Sequence, residues 1–200
     1  MHKRAITGDL LDERSAAELV KRHLHTPFAY PALRESLEKS AVDAIVRYLR
    51  DHRTELPQTV HSEKQIQVHV APGVVVDGRI DLVRRLDTNE LAIVDFKSTD
   101  RAQAEEVTWD QLHVYAVGYE ELTGERADVV EVLNLDERAK SERDEVSDEL
   151  LAGVRQRIKL AGASLRENDL PRHTTWCKAC DRCDLAGLCR TKATEIKKEF

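Results

Sequence analysis

Residues 78–98, GRIDLVRRLDTNELAIVDFKS, constrain the fold of this chain more than any other stretch. Two apolar, β-branched segments flank the polar DTNE, the pattern of a β-hairpin that turns near Asp87 to Glu90. In the second segment Asp95 and Lys97 stand two apart, so the period of a strand sends both side chains to one face and Val94 and Phe96 to the other. Asp81 sits inside the first apolar segment. Charge in the middle of a strand is costly to desolvate unless something pairs with it. One solution is ordinary: Asp81 and Asp95 pair with Arg79, Arg84 or Lys97 on a solvated face. The other is a cation. If the hairpin brings Asp81 beside Asp95, two carboxylates can hold Mg²⁺ or Mn²⁺, which favour hard oxygen ligands, and Lys97 can steady an attacking water or a phosphate oxygen.

The remaining sequence alternates between helix and strand patterns. Ala16, Ala17, Leu19 and Val20 give an apolar side to a helix from Ser15 to about Leu24, and Pro27 and Pro31 oppose its continuation. Over residues 32–50, Leu33, Leu37, Ala41, Ala44, Ile45 and Leu49 recur three and four apart and predict a second helix. Strands are expected over 62–70, 75–85, 91–97 and 127–135, and further helices over 105–122 and 146–165. Gln111 and Tyr115 are four apart and share one helical face, while His113 points away from it and reads as a surface residue. The polar stretch after Lys97 reads as a loop, and residues 136–148, DERAKSERDEVSD, read as solvated. The expected fold class is therefore α/β, a small mixed sheet flanked by helices.

Two hundred residues suffice for one domain and a small appendage, expected at 1–168 and 169–200. A net charge of -6 argues against a surface coated with nonspecific nucleic-acid contacts, so local positive charge must come from a metal site or a partner. No apolar run reaches membrane-spanning length, and the absence of a secretory pattern predicts a cytoplasmic location. Cys177, Cys180, Cys183 and Cys189 fall within CKACDRCDLAGLC. Disulfides are disfavoured inside a cell, so four thiolates at this spacing predict a metal centre, either tetrahedral zinc or an iron-sulfur cube.

The ordered set of Gly78-Arg-Ile-Asp81, then Asp95-Phe-Lys97 with its Asp fourteen residues later, then Gln111-Leu-His-Val-Tyr115 resembles the nuclease domain of the RecB family within the PD-(D/E)xK superfamily. The resemblance implies a restriction-endonuclease-like core and a metal-dependent phosphodiesterase site built on Asp81, Asp95 and Lys97. It also implies that the backbone carbonyl of Phe96 completes the metal shell and that Gln111 and Tyr115 orient the site and contact DNA. By the same resemblance Glu63 is the acidic residue that faces the site from the preceding strand. The resemblance also implies an upstream histidine that joins the metal, for which His23 is the candidate and His25 the alternative.

The gaps between Cys180, Cys183 and Cys189 are similar to the C-terminal triad of AddB-type and CRISPR adaptation nucleases. That likeness implies a 4Fe-4S cluster in preference to zinc, with Cys177 as its fourth ligand. The implied function is a Mg²⁺- or Mn²⁺-dependent deoxyribonuclease, exonucleolytic on single-stranded DNA. It would act in recombination, repair or CRISPR adaptation, alone or as part of a helicase-nuclease. Two alternatives remain open: a non-catalytic DNA-binding or scaffold module of such an assembly, and a small metal-binding interaction protein.

Overall fold

A computed structural model of the chain describes residues 12–97, 105–136, 140–169, 175–177 and 180–190. The loop expected after Lys97 lies outside them over residues 98–104. The chain divides into two compact units, Met1–Lys159 and Leu160–Phe200. In the first, helices α1 (Glu13–His23) and α2 (Pro31–Asp51) precede strands β1 (Thr59–Ala71), β2 (Val74–Arg85) and β3 (Leu91–Lys97). Helix α3 (Glu105–Thr123) then crosses over to β4 (Val129–Asn134), which is followed by β5 (Ser141–Glu145) and α4 (Asp148–Glu167).

Local chemistry sets the helix ends. The Asp12 carboxylate accepts the Ser15 amide at 2.7 Å and caps α1. Pro31 opens α2, where its missing N–H costs nothing. Gly124, at φ +74, closes α3 by donating its amide to the Glu120 carbonyl at 2.8 Å.

The five strands form one mixed sheet in the order β1-β2-β3-β4-β5. The pairs β1–β2, β2–β3 and β4–β5 are antiparallel, and β3–β4 is parallel, as the intervening crossover helix requires. Strand β3 is buried over Leu91–Asp95 because helices cover both faces of the sheet. On one face Ile66, Ile80, Val83 and Ile93 pack with Leu112, Ala116 and Tyr119 of α3 and with Leu151 and Val154 of α4. On the other, Leu82, Val94, Val129 and Leu133 pack with Ala16 of α1 and with Tyr48 and Leu49 of α2. A strand covered on both faces reads as a continuous apolar run, which is why LAIV was legible as β3. The turn between β2 and β3 is tied by Leu86 N to Glu90 O and by Asn89 N to Leu86 O, both at 2.8 Å.

Two features depart from the sequence reading. The stretch expected to be solvated contains β5, whose residues pair in register with β4 from Val129–Glu145 to Leu133–Ser141. An edge strand needs only backbone pairing, and a charged edge such as SERDE resists further strand addition, so it carries no apolar alternation to read. The second departure is an ion pair inside the sheet: Arg84 of β2 and Glu131 of β4 are 2% and 1% exposed, with Arg84 Nη2 at 2.7 Å from Glu131 Oε2. Arg84 also pairs with Glu55, and Ser141 donates to the second Glu131 oxygen.

Burial raises the proton affinity of Glu131, but the Ser141 hydroxyl and the Arg84 and Arg143 cations outweigh it and hold the group below the usual glutamate range. A carboxylate whose folded value is depressed contributes stability above its unfolded pKa and loses it as pH falls through the folded value. Urea unfolding across acid pH should show this loss. Glu131→Gln should remove that part of the pH slope and cost on the order of 3–5 kcal/mol at neutral pH. A neutral-pH cost near zero would contradict a structural role for the pair.

The second unit holds the cysteines. A short 3-10 turn, Cys180–Arg182, precedes the five-residue helix α5, Ala186–Arg190. Its Trp176 indole donates to Asp181 Oδ1 at 2.5 Å. Residues 170–174, 178–179 and 191–200 lie outside the described part.

Candidate active site

The pairing of β2 with β3 runs from Arg85–Leu91 to Leu82–Val94 and then stops. Beyond it the Asp81 side chain takes over: its Oδ2 accepts the Phe96 amide at 2.9 Å. One of the two predicted acids is thus anchored on the backbone of the motif that carries the other, and its second oxygen is available for another task. Asp95 lies next to Phe96 and is only 6% exposed. Lys97 Nζ stands 2.7 Å from the Oδ2 of this buried carboxylate. Burial pushes the Asp95 carboxyl above the usual range; Lys97 pulls it back, and the nearby Asp81 charge pushes it up again. Two carboxylates that repel each other in a partly dry site make a donor set suited to a hard divalent cation.

Phe96 turns its ring to the opposite face of the sheet. There it packs edge-on against the buried Tyr48 of α2, with centroids 5.4 Å apart and planes at 90°. Tyr48 therefore backs the peptide that links Asp95 to Lys97, although the apolar stripe read over residues 32–50 did not include it.

Gln111 and Tyr115 share a face of α3 as the spacing predicts, and Gln111 Nε2 donates to the Tyr115 hydroxyl at 2.8 Å. The Tyr115 ring lies on Gly78: a Cβ there would come within 2.8 Å of Tyr115 Cε1. This close approach explains why the motif that ends in Asp81 begins with glycine, and it ties the helix to the hairpin.

The other predicted residues fall elsewhere. Glu63 of β1 is exposed and pairs with Arg79 Nε at 2.9 Å. His23 is exposed in the last turn of α1. Among the described residues no group of three or more His, Cys, Asp or Glu side chains is placed to hold a metal ion, so neither Glu63 nor His23 joins Asp81 and Asp95 in such a group. His113, read from the sequence as a surface residue, is instead 8% exposed, 2.9 Å from Asp144 of β5, and stacked beside Trp109. The unforeseen strand supplies its partner.

The same absence corrects the expected metal-cluster tail. None of Cys177, Cys180, Cys183 and Cys189 forms a disulfide. A turn from Cys177 O to Cys180 N brings the first two sulfurs to 3.7 Å, but Cys183 is exposed and the four do not gather around one point. Neither the iron-sulfur cluster nor zinc is supported, and the likeness to AddB-type and CRISPR adaptation nucleases does not hold; the C-terminal metal-cluster segment drops out of the fold description.

The Gly78–Tyr115 contact is testable by a double-mutant cycle in urea. Gly78→Ala should cost about 1–3 kcal/mol by overpacking, and most of that cost should vanish when Tyr115 is already alanine. Additive losses would show that the two residues do not share this contact.

Comparison with known proteins agrees with this core. The family model for the PD-(D/E)XK nuclease superfamily matches residues 2–190. A crystal structure described as "Putative exonuclease" from Eubacterium rectale is 14% identical, with a TM-score of 0.51 over 94% of this chain and 80% of that one. At that identity the likeness speaks for the fold alone. The solved structure of SSO0001 is also 14% identical, with a TM-score of 0.45 over 89% of this chain and 94% of that one. No curated protein is matched. With a family model spanning nearly the whole length and a mixed sheet presenting Asp81, Asp95 and Lys97 together, the chain belongs to the PD-(D/E)XK nuclease superfamily.

Proposed function

We propose that this protein is a divalent-metal-dependent deoxyribonuclease that hydrolyses phosphodiester bonds of single-stranded DNA from an end. The observation that carries the reading is the buried Asp95 carboxylate, paired at 2.7 Å with the Lys97 ammonium and pushed up by the nearby Asp81 charge. An incidental surface pair would be solvated; this one is desolvated, and charge is kept in such a place for chemistry more often than for stability. Exonucleolytic action is supported by the family resemblance of the motifs and by the fold shared with the Eubacterium rectale protein, described as a "Putative exonuclease"; the preference for a single strand rests on the resemblance of the motifs alone.

Asp81 and Asp95, with the Phe96 carbonyl between Asp95 and Lys97, are the residues that would hold Mg²⁺ or Mn²⁺. Such an ion supplies Lewis-acid charge at the phosphoryl group. The chain's own residues do the rest. Phe96 N fixes one oxygen of Asp81, which leaves the carboxylate a single orientation. Lys97, held by Asp95, offers a proton-bearing cation that orients the attacking water and stabilises charge growing on a phosphoryl oxygen. Gln111 and Tyr115, joined side chain to side chain and anchored on Gly78, present donors from α3 toward the substrate strand. The net charge of -6 gives the chain little general attraction for DNA, so a helicase or other partner would supply much of the grip.

The test uses end-labelled single-stranded and duplex DNA, with blocked 5′ or 3′ ends, in Mg²⁺ or Mn²⁺. The wild type should shorten unblocked single strands, and Lys97→Ala should slow cleavage by about 10²–10⁴-fold while remaining folded and still binding Mn²⁺. Cleavage by Lys97→Ala at the wild-type rate would refute the mechanism.

A further inference from the structure

We propose that Glu63 is a positioning residue for the candidate metal site and acts through its backbone, not its carboxylate. The proposal rests on the reading of Asp81 and Asp95 as that site. Glu63 adopts φ +55 inside a thirteen-residue strand. Left-handed backbone is uncommon for a residue with a side chain and out of place in a regular ladder. Its position in the register is informative. The β1–β2 rungs run His61–Val83, Ser62–Leu82, then Lys64–Ile80 and onward to His69–Val75. The rung absent from this series is the one that would join Glu63 to Asp81.

The side chains show what the break does. Ile80 and Val83 lie in the core beneath α3, whereas Leu82 lies in the core on the other face. In an unbroken strand residues three apart face opposite ways, so β2 changes phase between Ile80 and Val83, at Asp81. Strand β1 changes with it: His61 lies against Tyr119 of α3, and Ile66 joins the core on that same side. A plain ladder would seat Asp81 in the alternation and pair its backbone with Glu63. The paired distortion releases Asp81 from that alternation, and its carboxylate reaches across to the Phe96 amide, beyond the point where the β2–β3 ladder ends. The Glu63 side chain is meanwhile occupied by Arg79, on the exposed surface. The strained peptide, and not the acid, is what the site uses.

The experiment measures Mn²⁺ affinity by electron paramagnetic resonance for wild type, Glu63→Gly, Glu63→Ala, Glu63→Val and Asp81→Asn, with circular dichroism and urea unfolding on each. Glycine adopts the left-handed conformation without penalty, alanine with a modest one and valine with a large one. Glu63→Gly should therefore bind Mn²⁺ within about twofold of wild type although it has no carboxylate, and Glu63→Val should bind about tenfold or more weakly. Glu63→Ala, with about the same left-handed penalty as the native glutamate, should also stay within about twofold of wild type, and with Glu63→Gly it tests the carboxylate if the valine variant does not fold. Loss of affinity in Glu63→Gly equal to that in Glu63→Ala would show that the carboxylate matters and overturn the proposal. Equal, wild-type affinity in all three Glu63 variants, with Asp81→Asn deficient, would also overturn it while leaving the site intact. Wild-type affinity in Asp81→Asn would instead remove the site reading itself.

Discussion

The hydrogen bond from the Phe96 amide to the Asp81 carboxylate stands at the centre of this structure. In a plain hairpin that amide would pair with a main-chain carbonyl of β2. Here the ladder stops at Leu82–Val94 and a side chain takes over the duty. Because a buried amide must find an acceptor, the substitution is enforced by backbone energetics and does not depend on a metal being present. One acid is thereby held against the peptide of the other, and Lys97 follows two residues beyond Asp95 on the same strand. The geometry of the site is thus a property of how two strands part.

Both faces of the sheet brace that parting. On one, Tyr115 rests on Gly78 and brings Gln111 with it, so α3 cannot shift without disturbing the hairpin that carries Asp81. On the other, Tyr48 meets the Phe96 ring edge-on. Further along the same face, Arg84 and Glu131 connect β2 to β4 diagonally across Ala92 and Val94 of β3, an arrangement that apolar residues of similar size could replace at equal or better stability. Its worth lies in fixing which strands lie beside which, since a slipped register would leave both charges buried and alone.

Much of this was legible in the sequence for a physical reason. Strand β3 announces itself because both of its faces are covered, and an acid and a lysine at alternate positions in so apolar a run are hard to explain away. Gln111 and Tyr115 could be placed together from helical period alone. Strand β5 could not be found, because an edge strand made of Ser, Glu, Arg, Asp and Glu satisfies only its backbone and shows no alternation. The consequence reached the buried His113, whose exposed partner Asp144 lies on that strand. The phase change at Asp81 was equally hidden: residue types give the period of a strand but not the place where it slips. The cysteines mislead in the opposite way, since regular spacing in CKACDRCDLAGLC reports proximity along the chain and not convergence in space.

In the proposed mechanism Asp81 and Asp95 share one divalent cation. Crystals grown with Mn²⁺ and measured near the manganese absorption edge test it most directly. One anomalous peak is expected in contact with both carboxylates and the Phe96 carbonyl, and none in crystals of Asp95→Ala. A map without a peak between those two side chains, under conditions where the protein cleaves DNA, would contradict it.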